Sequence, residues 1–155
     1  MEQAAQDYRA TIGYQLKAAQ SALRTRMDEA LAPLGLSTPQ YSCLEVIGRY
    51  PGASNSEIAR QVFVTRQSMN RLLRVLQDRG LVTRAEQAES GRTLPTRLTE
   101  TGRRLLAQAV EVVYPIEGIM SRSLNEEQRT ILGQALRQCV VALNESSEAE
   151  QNTRR

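Results

Sequence analysis

A mainly α-helical fold with one small β-hairpin is what this sequence predicts, on three observations. Apolar residues recur every three to four positions through most of the 155 residues, the period of helices with one buried face. The period fails once, between 81 and 98, where two short strand-like stretches flank a polar, turn-rich segment. The charge is also unevenly placed. Residues 1–59 carry net −1 and residues 105–155 net −2, but residues 60–104, with ten arginines and four acids, carry net +6. A positive segment that includes the hairpin and the helix before it is the footprint of a polyanion binder.

The first helix is expected from Asp7 to Leu31, with Tyr8, Ile12, Leu16, Ala19, Leu23, Met27 and Leu31 on one side. Pro33 and Gly35 end it. Thr38-Pro39 fits an N-cap followed by proline at the first helical position, opening a helix with Tyr41, Leu44, Val46 and Ile47 that stops near Tyr50-Pro51-Gly52. Ser54-Asn55-Ser56-Glu57 is an S-x-x-E capping box, in which each end side chain satisfies the other's backbone amide. Ile58, Ala59 and Val62 form the buried side of the short helix that follows. Phe63, the only phenylalanine, is expected to anchor the next turn in the core.

Thr65 is the next N-cap. Met69, Leu72, Leu73 and Leu76 make an i, i+3, i+4, i+7 stripe toward the core, and Gly80 suits the left-handed residue that closes the helix. Leu81 to Arg84 and Thr96 to Leu98 read as strands, with a long tip around Ser90-Gly91. Thr99 caps a helix carrying Leu105, Leu106, Ala109, Val110 and Val113, which Pro115 and Gly118 are expected to kink or break. A last helix starts at Asn125-Glu126-Glu127-Gln128, with Ile131, Leu132, Ala135, Leu136, Val140 and Leu143 along one side.

Composition narrows the function. There is no histidine, which removes the usual general base and the commonest metal ligand, and no phosphate-cradling glycine loop. Cys43 and Cys139 are far apart and outside any CxxC pair, so neither zinc nor a disulfide framework is expected; both sit in apolar helical surroundings as packing residues. No enzyme, metal or cofactor is therefore expected. No apolar run reaches the roughly 20 residues of a membrane helix, and the N-terminus lacks the pattern of a secretion signal, so a cytoplasmic protein without a membrane partner is expected.

The order capped helix, tight turn, basic helix, hairpin is that of a winged helix-turn-helix. The outer face of the second helix carries Arg66, Gln67, Asn70, Arg71 and Arg74, side chains able to pair with guanine and adenine edges, and no acid occurs from Thr65 to Gln77. Thr65 and Ser68 at its start suit phosphate contacts, as does Ser54 at the start of the preceding helix. Arg84 lies on the first strand. Arg92, beside Gly91 at the hairpin tip, can enter a narrow minor groove.

From Ser37 to Gly102 the sequence resembles the MarR family of bacterial transcription regulators. The resemblance rests on an ordered set: Leu36-Ser37-Thr38-Pro39-Gln40-Tyr41, Ser54-Asn55-Ser56-Glu57-Ile58-Ala59-Arg60, Asp78-Arg79-Gly80-Leu81-Val82-Thr83-Arg84, and Arg92 followed by Leu98-Thr99-Glu100-Thr101-Gly102-Arg103. It implies one domain over 1–155, with 37–102 as the winged DNA-binding region and the N- and C-terminal helices, 1–35 and 104–145, as the dimerisation region. It implies a recognition helix over Thr65 to Arg79 and a wing arginine at Arg92. The family's wing aspartate position is Ser90 here, which puts the family's wing-to-helix salt bridge in doubt and leaves open whether the neighbouring Glu89 replaces it. Many members bind small phenolic or aromatic acids near the dimer helices; Tyr14, Lys17, Arg24, Tyr41 and Arg49 are the candidates for such a ligand.

The expectation is a homodimeric DNA-binding regulator, most often a repressor, that binds a pseudo-palindromic double-stranded operator and is released by a small ligand. The alternative is a winged-helix adaptor that docks proteins without reading DNA. The acid-free arginine face counts against it.

Overall fold

The computed structural model describes residues 7–84 and 95–153. Helices α1 (Ile12–Leu31), α2 (Thr38–Arg49), α3 (Asn55–Val62) and α4 (Arg66–Asp78) are followed by strands β1 (Val82–Arg84) and β2 (Thr96–Leu98), then α5 (Glu100–Ser121) and α6 (Glu126–Thr153). The chain divides into two compact units, Met1–Ile116 and Glu117–Arg155, and the division falls within α5. Among the described residues no helix is long and apolar enough to cross a membrane.

Side-chain caps set the helix starts. The expected first helix is shorter than its apolar pattern: Tyr8–Ala10 form a 3-10 turn, and Thr11 caps α1 by accepting from the Tyr14 amide. α1 ends at Leu31, and a 3-10 turn through Pro33 leads to Gly35 at φ 65°. The cap of α2 is Ser37, not Thr38. Ser37 and Gln40 form a capping box, and Thr38 instead donates both its amide (2.9 Å) and its hydroxyl (2.7 Å) to Asp28 Oδ1. These two bonds, aided by Arg24, hold the Asp28 carboxyl below its ordinary pKa.

Ser54 and Glu57 make the capping box read from the sequence, and hydrogen bonds from the Ser54 amide and side chain lower the Glu57 pKa. Thr65 caps α4, the Thr99 hydroxyl accepts from the Gly102 amide at the start of α5, and Asn125 with Gln128 caps α6 reciprocally.

The core of the first unit gathers one face from each element. Leu31 and Leu36 meet Tyr41, Cys43, Leu44 and Ile47 of α2, Ile58 and Ala59 of α3, and Met69, Leu73 and Leu76 of α4; Leu81, Val82 and Ala109 complete it. Burial raises the Tyr41 hydroxyl pKa and pushes the Cys43 thiol up to about 12. Cys43 Sγ lies 3.7 Å from Met69 Sδ, so it packs as a protonated, unreactive thiol. Cys139 is only half-buried, short of the buried position expected for it.

β1 and β2 pair antiparallel, Val82 with Leu98 and Arg84 with Thr96. The stem is closed by Thr99, whose amide donates to Leu81 O (3.1 Å) and whose hydroxyl donates to Gly80 O (2.7 Å). Gly102 is needed at this junction because a Cβ there would overlap the Leu81 carbonyl.

Two expectations need correction. Of the kink or break expected at Pro115 and Gly118, the break does not occur: α5 continues to Ser121. Proline removes one amide donor, and apolar residues continue at helical spacing beyond it through Ile116, Ile119 and Met120. Phe63 does not anchor the core; it is 90% exposed, with φ 59°. The helix end dictates this. Phe63 N donates to Arg60 O and Val64 N to Ala59 O, which puts Phe63 at the left-handed position that normally belongs to glycine and turns its ring outward.

Candidate nucleic-acid interface

α3 and α4 form the helix-turn-helix, with Phe63 and Val64 in the turn. The α4 stripe is buried at Met69, Leu73 and Leu76, which fixes its opposite face outward: Arg66, Gln67, Asn70, Arg71 and Arg74 are all exposed. None of the three arginines makes an ion pair among the described residues. By contrast Arg24, Arg26, Arg49, Arg103 and Arg104 each pair with an acid one helical turn away. The guanidinium groups of α4 are thus left available for an external anion.

The start of α4 offers more donors. Thr65 Oγ1 accepts from the Ser68 amide (3.1 Å), and the Thr65 hydroxyl donates to Ser68 Oγ (3.0 Å). The amides of Arg66 and Gln67 have no partner among the described residues. Two free amides at an exposed helix N-terminus, beside two hydroxyls and Arg66, suit a backbone phosphate.

The structure separates the other candidates. Ser54 is half-buried and its oxygen is used by the Glu57 amide at 3.2 Å. Arg84 is half-buried on β1, and its Nε is buried without a partner among the described residues. Arg92, with Ser90 and Glu89, lies outside the described residues. Asn55, absent from the sequence-based candidates, proves to touch the site. Its Nδ2 donates to Asn70 Oδ1 at 2.7 Å, tying the first turn of α3 to the outer face of α4. Nothing in the local pattern signals that contact, because the two residues are fifteen apart.

The ligand candidates are not gathered in one place. Tyr41 is buried in the core, and Tyr14 packs edge-on against Tyr8 at 4.8 Å. Lys17 is exposed, and Arg24 is exposed and paired with Asp28. Arg49, paired with Glu45 at 2.8 Å, lines a groove. That groove, about 710 Å³, runs between α2, β2 and the start of α5. Three guanidinium groups border it, from Arg49, Arg97 and Arg103, against an apolar wall of Leu98, Leu106 and Val110. The sequence reading did not single out Arg97 or Arg103, because their convergence with Arg49 depends on the hairpin stem packing against α2.

A family model described as the MarR family matches residues 34–93. The chain is 40% identical over 121 residues to the HTH-type transcriptional repressor Rv2887 of Mycobacterium tuberculosis (strain ATCC 25618 / H37Rv), covering 77% of this chain and 87% of the relative. A structure of the Mycobacterium tuberculosis MarR family protein Rv2887 in complex with DNA aligns with TM-score 0.66 and 34% identity, over 84% of this chain and 98% of the other. A structure of that protein in complex with salicylic acid aligns with TM-score 0.67 and 38% identity, over 84% and 96%.

Proposed function

Because the chain belongs to the MarR family, we propose that it is a transcriptional repressor that binds a pseudo-palindromic operator as a homodimer and is released by a small aromatic acid. The observation that carries the reading is the outer face of α4: three arginines with no ion pair among the described residues, an asparagine and a glutamine, with no acid from Thr65 to Gln77, above a helix start whose first two amides have no partner among the described residues. A relative aligned over most of its length has been solved on DNA. A protein-docking winged helix has no need of such a face.

Dimerisation is supported by apolar side chains left uncovered in the single chain. Tyr8, Ile12 and Leu16 at the N-terminal end, Val112, Tyr114 and Ile119 of α5, and Ile131, Leu132, Leu136 and Val140 of α6 are all exposed. An apolar surface on that scale marks an interface. In such a dimer the two recognition helices enter successive major grooves when they stand roughly 34–36 Å apart.

A ligand that favours another spacing lowers DNA affinity by its differential binding to that state. The groove between α2, β2 and α5 offers Arg97 for a carboxylate, beside Arg49 and Arg103 in their pairs with Glu45 and Glu100, and an apolar wall for a ring. The relative solved with salicylic acid supports that class of ligand.

The test is selection from random duplexes, followed by titration of the selected site. Wild type is expected to enrich an inverted repeat, salicylate to weaken its binding, and Arg71→Ala to lower specific affinity by about 1–3 kcal/mol, concentrated at one or two positions of each half-site. Failure to enrich any duplex would remove the regulator reading.

A further inference from the structure

An asparagine facing a major groove can both accept and donate, which is how it pairs with adenine N6 and N7 together. Asn70 is not free to choose how it does so. Its Oδ1 is held by Asn55 Nδ2 at 2.7 Å, and the two polar atoms of one planar amide point in divergent directions. With the oxygen turned toward α3, the exposed edge of Asn70 is its NH2 group.

Asn55 is itself fixed. It is the first residue of α3, directly after Ser54, and the Ser54–Glu57 capping box sets the backbone there at 2.7 and 3.2 Å. Asn55 Oδ1 is buried and has no partner among the described residues. Reversing both amides would keep the bond between them but would bury the Asn55 NH2, with two unmade donor bonds, where the carbonyl oxygen now sits. An orphaned buried N–H is rarer in proteins than an under-satisfied carbonyl, so the observed orientation is the favoured one.

We propose that Asn55 is a specificity-determining positioning residue: by engaging Asn70 Oδ1 it makes Asn70 a donor, which selects a base edge presenting an acceptor, such as guanine N7 and O6 or thymine O4. This rests on the reading of α4 as the recognition helix. Asn55 touches no base in this account; it acts through Asn70 alone.

Asn55→Asp tests it. A carboxylate offers only acceptors, so Asn70 must reverse, donating Nδ2 to residue 55 and turning Oδ1 outward. The helix dipole favours a negative charge in the first turn of α3 and offsets part of the cost of placing a carboxylate oxygen where Asn55 Oδ1 is buried. Asn55→Leu, of similar volume, removes the tether without forcing either orientation. Operators are selected from random duplexes with wild type, Asn70→Ala, Asn55→Asp and Asn55→Leu, each checked by thermal melt.

Asn70→Ala identifies the base position that depends on Asn70. There wild type is expected to prefer an acceptor base by roughly five- to tenfold. Asn55→Asp is expected to reverse that preference toward cytosine on the same strand, the base that presents only a donor in the major groove. Asn55→Leu is expected to flatten it and leave the remaining positions unchanged. The proposal is overturned if Asn70→Ala flattens no position, if both Asn55 variants keep the wild-type base, or if Asn55→Asp flattens without reversing. Should wild type select no duplex, the recognition-helix reading falls first; the other failures leave that reading standing and remove only the role of Asn55.

Discussion

Phe63 carries a sharp prediction because two features at one residue oppose ordinary design. It is a bulky aromatic at φ 59°, and its ring is 90% exposed. The left-handed region costs a residue with a Cβ roughly 1–2 kcal/mol relative to glycine. Glycine gives back about 0.5–1 kcal/mol through its greater freedom in the unfolded chain. Replacing an exposed ring forfeits little burial, so Phe63→Gly should stabilise the protein by about 0.5–1 kcal/mol. For a chain of this length that is a rise of roughly 1–4 °C in Tm. Phe63→Ala keeps the left-handed backbone and removes the ring, and should stay within about 0.5 kcal/mol of wild type. The assay is urea unfolding and thermal melting at one fixed protein concentration, since a dimer's stability depends on it. A Phe63→Gly variant less stable than wild type would refute the reasoning, as would a Phe63→Ala loss above about 1 kcal/mol. Either would show the ring packed against something the single chain does not contain.

Gly102→Ala should destabilise by about 1–3 kcal/mol, because its Cβ meets the Leu81 carbonyl that also accepts from Thr99; an ordinary helical Gly→Ala change gains stability, so the sign alone is decisive in a melt. Asp28 has its folded pKa below the unfolded value near 3.9, so its contribution is present above that pH and lost as pH falls through the folded value. Thr38→Val removes one of the two bonds responsible, and urea midpoints measured from pH 6 to pH 2 should show the variant weaker above about pH 4 and converging with wild type below it. For the wing, Arg92→Ala should weaken operator binding by on the order of 1–2 kcal/mol and reduce the salt slope by up to roughly one unit, with Ser90→Ala near neutral; equal damage from both would sink the idea that Arg92 acts without a salt bridge. Deleting residues 1–30 should expose the apolar dimer surface and cause aggregation, and a soluble, cooperatively folded monomer from that truncation would argue against an obligate dimer.

What the sequence made legible is what short-range chemistry decides. The Ser54 capping box, the Thr65 and Thr99 caps, Gly80 at φ 67° and the buried α4 stripe all depend on residues within one or two helical turns, and each stands where the spacing put it. Of the two misplaced features, one has a distant cause and the other a local backbone cause that hydrophobicity does not report. Thr38 is displaced as the α2 cap because Asp28, ten residues earlier, takes both its amide and its hydroxyl. Phe63 looks like core by hydrophobicity, but the carbonyls of Ala59 and Arg60 fix the backbone that points it outward.

The interface divides along the same line. That α4 presents arginines, a glutamine and an asparagine follows from its 3.6-residue period once Met69, Leu73 and Leu76 are buried. Which edge of the Asn70 amide faces a base does not, because Asn55 on another helix sets it. Periodicity can therefore nominate the residues that read DNA, whereas the base each prefers depends on hydrogen bonds made across the turn. Two chains with the same α4 face but different residues at the start of α3 should bind DNA alike in overall charge dependence and differ in the base preferred at the Asn70-dependent position.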